Sequence, residues 1–408
     1  MNYKMMGRFT AQILLMEGIF LIPAMFISLV CGEDAAVHGF LVTLGVIVLL
    51  GIPMYLFCRD AKSAFYATEG MMCVAMSWFT LSLIGALPFY ISGAIPGYID
   101  ALFETVSGFT TTGASILPDV ESMAKGLLYW RSFTHWVGGM GVLVFLLAIA
   151  PTKGSEQGFT MHLLRAESPG PSVGKLVPKM RKTAGILYLL YIILTAVDFV
   201  LLLLGDMPIL DALCTAFGTA GTGGFGIKND SIASFSPYIQ NVTTVFMLLF
   251  GVNFSCYYLL ALRQVKSVFK DEELRLYIGI VLGSIALIVW NLWGYYPSFG
   301  ETLRHAAFQV SSIITTTGYA TTDFDLWPSF SKTILLCLMV VGACAGSTGG
   351  GIKVARVLLL FKSLRRNTAQ MLHPRKIQVI RNNGAVVSER VVANTCLLYT
   401  SPSPRDRG

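Results

Sequence analysis

The sequence predicts an all-α integral membrane protein, and three observations support this fold class. Of the 408 residues, 54% are hydrophobic and only 13% are charged, whereas soluble domains carry charge on about 25% of their residues. Several apolar stretches reach the roughly 20 residues that a helix needs to cross a bilayer. The alternating segments of about ten residues that are typical of an outer-membrane barrel are not evident.

Eight apolar stretches are long enough to span the membrane. They cover roughly residues 9–31, 38–58, 70–92, 127–150, 183–204, 238–262, 275–296 and 329–361. We interpret the first stretch as a retained helix and not as a cleaved signal peptide, because no clear small-residue cleavage site follows it.

The distribution of basic residues predicts the orientation. With the N-terminus in the cytoplasm, most of the 30 lysines and arginines fall in inner loops, chiefly 153–182 and 353–390, as the positive-inside rule requires. Acidic side chains such as Glu104, Asp119 and Glu121 then lie near the outer face, where they would attract cations. The basic residues form no nucleic-acid recognition motif, so we expect a lipid bilayer and no nucleic acid as a partner.

An internal repeat is the most informative feature of the chain. D-A-L-F-E-T-V-S-G-F-T-T-T-G-A-S at 100–115 aligns without a gap with D-A-L-C-T-A-F-G-T-A-G-T-G-G-F-G at 211–226 and with H-A-A-F-Q-V-S-S-I-I-T-T-T-G-Y-A at 305–320. Gly113, Gly224 and Gly318 fall in one column. A full span and a half-length apolar segment precede each copy, and a full span follows it.

The half-length segments predict re-entrant structure. As a helix, each can cross only part of the bilayer, and non-helical backbone at membrane depth is tolerated only where it is buried in protein or lines a wet cavity. Carbonyl oxygens freed from helical bonding suit a dehydrated cation, and glycine lets the backbone approach it. We therefore interpret the copies as three walls of an ion-selectivity filter. For a single copy a polar helix end is the simpler interpretation, but three copies in register disfavour it.

The predicted filter comprises four residues of each copy. They are Thr110, Thr111, Thr112 and Gly113, then Gly221, Thr222, Gly223 and Gly224, and finally Thr315, Thr316, Thr317 and Gly318. The second copy is glycine-rich and lacks the triple threonine, so we expect a pseudo-symmetric pore.

Five longer stretches carry a more specific pattern. They are S-G-F-T-T-T-G-A at 107–114, Y-W-R-S-F-T-H-W-V-G-G-M-G at 129–141, L-R-A-E-S-P-G-P at 164–171, F-Q-V-S-S-I-I-T-T-T-G-Y at 308–319 and G-A-C-A-G-S-T-G-G-G-I-K-V-A-R at 342–356. Together they resemble the Trk/Ktr/HKT superfamily of potassium transporters, in its bacterial TrkH-like branch. The resemblance extends to about residue 394.

The resemblance implies two leading helices and four tandem helix–pore-loop–helix repeats around a central pore. It implies potassium uptake across a bacterial inner membrane, with K⁺ as the transported ion, no bound cofactor and no enzymatic activity. The potassium ligands would be supplied by Thr111, Thr112, Thr222, Gly223, Thr316 and Thr317. It also implies a homodimer and a cytoplasmic nucleotide-binding regulatory subunit of the TrkA-like kind. Symport with sodium ions or protons is an open alternative.

The stretch 329–361 is too long for one straight span, and its central glycines should break the helix. The resemblance implies that this break is a loop across the pore below the filter, acting as a gate. The gate residues would be Gly342, Gly346, Ser347, Thr348, Gly349, Gly350 and Gly351. A small-residue seam for tight helix packing is the alternative.

The predicted organisation follows the repeats. Two N-terminal helices occupy 1–62, pore repeats occupy 69–150, 182–263 and 274–362, a cytoplasmic segment occupies 363–394, and 395–408 is a non-native tail. A fourth filter glycine is expected about one repeat length beyond Gly318, which lies past residue 408. We therefore expect three of the four repeats to be present, and we do not expect the 408-residue chain to conduct ions as it stands.

Three polar residues within or beside spans are notable. Asp198 lies inside a predicted span, where acids are rare and usually functional; cation handling and a local hydrogen bond are equal alternatives. Arg131 and His135 follow the first filter copy and are expected to make structural contacts near the outer surface.

Two other function classes are alternatives. A secondary transporter of another small solute, built on broken helices, would show inverted repeats, whereas these copies share one orientation. An integral-membrane enzyme would need His, Asp or Cys clustered at one depth, whereas the five histidines are scattered.

Overall fold

The computed structural model describes residues 3–59, 67–139, 141, 180–373, 379–387 and 392. In chain order its α-helices are α1 (Tyr3–Cys31), α2 (Asp34–Phe57), α3 (Ala67–Gly85), α4 (Leu87–Ile91), α5 (Tyr98–Phe109), α6 (Lys125–Gly139), α7 (Met180–Leu204), α8 (Ile209–Ala220), α9 (Pro237–Phe250), α10 (Phe254–Ala261), α11 (Val265–Lys270), α12 (Glu272–Asn291), α13 (Phe299–Ile314), α14 (Ser329–Val341) and α15 (Val354–Leu372). A 3₁₀ turn covers Phe324–Leu326, and β1 (Arg381–Asn382) pairs antiparallel with β2 (Ala385–Val386).

The helices confirm the predicted all-α membrane class. Among the described residues, five helical stretches are long and apolar enough to cross a bilayer: α1, α2, Met72–Ile91, Gly185–Leu204 and α12. Their exposed faces carry large apolar side chains, such as Phe26, Leu49 and Trp290, which suit contact with lipid. The predicted span 127–150 begins within α6, but its part beyond residue 141 lies outside the described residues, as do the loop 153–182 up to residue 179 and the proposed tail 395–408.

The predicted span 238–262 is not one continuous helix. It is two helices, α9 and α10, which meet at an angle of 90°. Asn253 explains the break, because its side chain accepts a hydrogen bond from the Ser255 N–H (2.9 Å) and caps α10. A helix that begins with a capping asparagine starts anew and does not continue its predecessor.

The predicted break within 329–361 is confirmed. Helix α14 ends at Val341, and α15 begins at Val354. Gly342 and Gly351 have positive φ values of 73° and 81°, and a Cβ added at Gly351 would lie 2.6 Å from the Gly342 Cα. Only glycine at both positions allows the two ends of the connection to approach so closely. We call residues 342–353 the glycine loop.

The chain forms two compact units. The first comprises Met1–Met247 and Thr317–Thr322, and the second comprises Leu248–Thr316 and Asp323–Gly408. In the first unit, α1 packs against α2, α3 and α6 around a core that includes Phe40, Phe89 and Trp130. In the second unit, α12, α13 and α14 pack around Tyr277 and Ile314.

The three half-length segments are short helices, as predicted. They are α5, α8 and α13, with 12, 12 and 16 residues. At 1.5 Å per residue, none reaches across a hydrocarbon core of about 30 Å. A non-helical segment rich in threonine and glycine follows each of these helices. We call residues 110–113 the first segment, 221–224 the second segment and 315–318 the third segment.

Candidate ion-coordination site

Each short helix is followed by a threonine in the left-handed region, one residue past its C-cap. The φ values are 53° at Thr111, 51° at Thr222 and 59° at Thr316. These threonines occupy one column of the internal repeat. A β-branched residue at positive φ is a genuine outlier, and such a conformation costs roughly 1–3 kcal/mol. Its occurrence in three copies indicates a constraint on the backbone of the site.

The first two helices end in the same hydrogen-bond pattern. The Thr111 N–H donates to the Gly108 carbonyl (3.0 Å), and the Thr112 N–H donates to the Ser107 carbonyl (2.9 Å). In the second copy, the corresponding donors are Thr222 and Gly223, whose acceptors are the carbonyls of Thr219 and Gly218. This is the Schellman termination, in which glycine usually holds the left-handed position. Here threonine replaces glycine, which adds a hydroxyl next to the freed carbonyl groups.

The aligned glycines are left-handed as well. Their φ values are 73° at Gly113, 78° at Gly224 and 87° at Gly318. Each copy therefore has two left-handed residues, a threonine and, two positions later, a glycine. Such a backbone continues neither a helix nor a strand, so its carbonyl oxygens are available to a ligand.

The three segments lie side by side within the first unit, in the order in which they occur along the chain. A Cβ added at Gly113 would collide with the carbonyl oxygen of Gly223, and one added at Gly224 would collide with the carbonyl oxygen of Thr317. The second segment thus lies between the first and the third, at backbone-to-backbone distances that only glycine permits. Sequence reasoning predicted this convergence, and the structure brings these four residues together.

The first and third segments, on either side of the second, have open space beside them among the described residues. No atom lies within 4 Å of a Cβ added at Gly318, and Thr110 and Thr112 of the first segment are exposed. In contrast, Gly221 and Thr222 are buried. Thr315 and Thr316 belong to the second unit, although the chain continues directly into Thr317.

A buried ion pair supports the first two segments. Arg131 Nε donates to Glu104 Oε1 (2.6 Å), and Arg131 Nη1 donates to the carbonyl of Gly226 (2.9 Å). Glu104 also accepts from Ser115 Oγ (3.0 Å) and from the Ile116 N–H (2.9 Å). The pair therefore links the ends of both segments. Glu104 is therefore not a solvated charge, and Arg131 makes the structural contacts that were expected of it; both side chains are almost fully buried.

Aromatic packing fixes the second segment. The Phe225 ring lies under the Arg131 guanidinium (3.6 Å) and stacks on His135, with 4.0 Å between ring centroids. Tyr319 Oη donates to the carbonyls of Thr215 (3.3 Å) and Phe225 (3.5 Å), which joins the third segment to the second. His135 is fully buried, and its stacking on Phe225 is a structural contact, as expected. Sequence reasoning missed Phe225 and Tyr319, although both directly follow the aligned glycines.

Two glycines at the end of α6 bring that helix against the segments. A Cβ at Gly138 would collide with the carbonyl of Phe109, and one at Gly139 would lie 2.5 Å from the Cα of Gly221. Gly251 in the second unit has the same role, because its Cβ would lie 2.8 Å from Thr315 Cγ2. Consecutive glycines inside a predicted span were the signal that could have identified this packing.

Replacing Gly139 with alanine should lower the stability of the protein by about 1–3 kcal/mol, the usual cost of overpacking. The added methyl group would press on Gly221 and on Tyr191 Oη, which lies 3.1 Å away. Thermal unfolding of the detergent-purified protein measures this effect. Gly185→Ala is the matched control, since no described residue lies within 4 Å of a Cβ there; an equal loss in both variants would contradict the packing argument.

The glycine loop contacts the start of the third segment within the second unit. The Gly350 N–H donates to Thr316 Oγ1 (2.7 Å), and a Cβ at Gly349 would lie 2.8 Å from the Thr315 carbonyl oxygen. Lys353 Nζ donates to the Gly349 carbonyl. Among the other predicted gate residues, Ser347 Oγ donates to the Cys344 carbonyl (2.6 Å) and Thr348 Oγ1 to that of Phe250 (3.3 Å).

Loops before and after the segments hold exposed acids. Asn229 Nδ2 donates to Asp119 Oδ1 (2.8 Å), and the Asn229 N–H donates to Glu121 Oε1 (3.1 Å). The Asn229 hydrogen bond lowers the pKa of Asp119. A lower pKa favours the charged form of this carboxylate, so these loops present negative charge to the solvent.

Asp198 lies in α7 and is fully buried. Neither of its carboxylate oxygens has a hydrogen-bond partner among the residues that the structure describes. The local hydrogen bond that was one of its two expected roles is therefore not formed within that part of the chain.

Comparisons with known proteins agree on one family. The family model "TrkH: Cation transport protein" matches residues 38–399. Trk system potassium uptake protein TrkH of Salmonella typhimurium is 36% identical over 386 residues, which cover 93% of this chain and 79% of that protein. Trk system potassium uptake protein TrkG of Escherichia coli is 33% identical, with the same shares covered. The crystal structure of the potassium transporter TrkH from Vibrio parahaemolyticus superimposes with a TM-score of 0.86 at 30% identity, covering 98% of this chain and 83% of that one.

Proposed function

We propose that this chain, which belongs to the TrkH family of cation transport proteins, is part of a pore that takes up potassium ions across the inner membrane of a bacterium. Its relatives are named as potassium uptake proteins, and they are transporters, not enzymes. One observation carries the proposal: three segments in one repeat frame have a left-handed threonine followed by a left-handed glycine. They meet at carbonyl oxygens of the backbone.

In this proposal the ion exchanges water for protein oxygens. Acidic loops around Asp119 and Glu121 concentrate cations outside. Backbone carbonyl groups of the three segments then replace the hydration shell. The membrane potential supplies about 2.3 kcal/mol per charge for each 100 mV, which drives inward movement without a chemical step.

The glycine loop is proposed to be the gate of this pathway. Its contacts with Thr315 and Thr316 support this role, because they place the loop directly against the end of the short helix α13. A loop rich in glycine can change its backbone conformation at low steric cost, so it can withdraw while the packed helices remain in place.

The partners and the orientation are a further part of this proposal. We propose a homodimer with its N-termini in the cytoplasm and a TrkA-like nucleotide-binding regulatory subunit on the cytoplasmic side. The basic residues of α15 and of the preceding inner loops support this orientation. Nucleotide control would then reach the glycine loop through α15, which begins where the loop ends.

Rubidium uptake tests the proposed function. The full-length protein, expressed in a bacterium that lacks its own potassium uptake systems, should take up radioactive rubidium and restore growth at low potassium. Excess potassium should compete with the rubidium, whereas an amino-acid mixture should not. Uptake that amino acids inhibit would favour the secondary transporter of another small solute, and absence of rubidium uptake in a well-inserted protein would refute potassium transport.

A further inference from the structure

Glu273 is a buried carboxylate that holds the glycine loop. It lies in the first turn of α12 and is 8% exposed. Its Oε1 atom accepts hydrogen bonds from the Ala345 N–H (2.5 Å) and from the Ala355 N–H (3.2 Å). Ala345 lies inside the glycine loop, and Ala355 lies in the first turn of α15. A single oxygen atom thus joins the middle of the loop to the helix that follows it.

The chemistry of these bonds makes them strong. The Ala355 N–H belongs to the first turn of a helix, where N–H groups lack intrahelical partners and favour a negative charge. Hydrogen bonds to a charged acceptor are roughly twice as strong as neutral ones. Among the described residues, Glu273 has no ion-pair partner within 4 Å. Movement of the loop away from Glu273 would therefore leave a buried anion with fewer donors.

The break between α9 and α10 holds the loop from a second direction. The Cys344 N–H donates to the Gly251 carbonyl (3.1 Å), and the Phe254 N–H donates to the Gly346 carbonyl (3.0 Å). Thr348 Oγ1 donates to the Phe250 carbonyl (3.3 Å). These acceptors and donors are free only because the helix is interrupted at 251–253. The interruption gives the glycine loop partners that a continuous span would have used internally.

We propose that Glu273 is a positioning residue, and that with the break at 251–253 it forms a latch that keeps the glycine loop against the third segment. Release of the loop from Glu273 is then a step in opening the pathway. This inference rests on the proposed role of the loop as a gate, and it adds the residue that holds the gate closed. Glu273 itself does not coordinate the transported ion.

Cys344 provides a native reporter of the latch. It is a free thiol inside the glycine loop and is fully buried. We would measure the rate at which N-ethylmaleimide labels Cys344 in membrane vesicles, with the adduct assigned to this residue by mass spectrometry. Glu273→Ala should raise the rate about tenfold, and Glu273→Gln about threefold, because the amide oxygen still accepts but without charge.

Glu272→Gln is the matched control. Glu272 precedes Glu273, but its side chain pairs with Lys362 on the partly exposed side of α12. This variant should label at the wild-type rate. Thermal unfolding of each variant separates local release of the loop from general destabilisation, since the latch predicts faster labelling in Glu273→Gln at an unchanged midpoint.

Labelling and uptake distinguish the latch hypothesis from the hypothesis that the glycine loop is the gate. If both labelling and the maximal rate of rubidium uptake rise while the apparent affinity for rubidium stays constant, both hold. If labelling rises and uptake does not, the latch holds and the loop is not the gate. If labelling of Glu273→Gln equals that of the wild type, the latch is overturned, even where Glu273→Ala fails to insert.

Discussion

Rubidium uptake is expected to fall about a hundredfold when Gly224 is replaced by alanine. A displacement of functional groups by about an ångström has an effect of this size. Two effects combine at this position. Gly224 has a φ of 78°, which strains any residue with a Cβ, and the added methyl group would collide with the carbonyl oxygen of Thr317. The third segment must therefore shift, and with it the carbonyl groups that are proposed to bind the ion.

Gly318→Ala separates strain from collision. Gly318 has a similar φ of 87°, but no atom of the described residues lies within 4 Å of an added Cβ. Only the left-handed strain of about 1–2 kcal/mol remains, so uptake should fall about tenfold. Gly283→Ala, on the exposed face of α12, is the control and should transport normally, since it has no strain and no neighbour within 4 Å in the described part of the chain. Wild-type uptake by Gly224→Ala would refute the proposed filter.

Replacing Arg131 with methionine is expected to destabilise the protein by about 3–5 kcal/mol, the usual cost of removing one partner of a buried ion pair. Glu104 would lose its ion-pair partner and the strongest of its donors in a fully buried position. The Gly226 carbonyl would lose the Arg131 Nη1 donor as well. Unfolding of the purified protein in detergent, monitored with heat or denaturant, measures the change.

A double variant tests the assignment. Adding Glu104→Gln to Arg131→Met removes the orphaned charge, so part of the lost stability should return. Lys362→Met removes one partner of the partly exposed Glu272–Lys362 pair and should cost no more than about 1 kcal/mol. Equal losses for Arg131→Met and Lys362→Met would show that the buried pair has no special role.

Local patterns in the sequence predict much of this fold. Hydropathy identifies the long helices, because a bilayer demands apolar residues along a whole span. The register of the three segments is also a local pattern, so Gly113, Gly224 and Gly318 could be aligned before their positions in space were known. The break after Val341 was predicted because several glycines occur together.

Features that depend on distant partners could not be predicted. The break at 251–253 contains one glycine and one asparagine, which many continuous membrane helices tolerate; the glycine loop provides the hydrogen bonds that make it favourable. Likewise, nothing near Glu104 in the sequence distinguishes a buried acid from a solvated one. Its role depends on Arg131, which lies on another helix.

The glycines that end α6 and α9 have a consequence for biosynthesis. Gly139 lies against Gly221, and Gly251 lies against Thr315, so each of these glycines packs against the first predicted filter residue of the repeat that the ribosome makes next. Domains generally acquire structure from the N-terminus onward during translation. Each newly inserted repeat would therefore pack against a helix that has already folded. If the repeats folded in the reverse order, that packing surface would not yet exist.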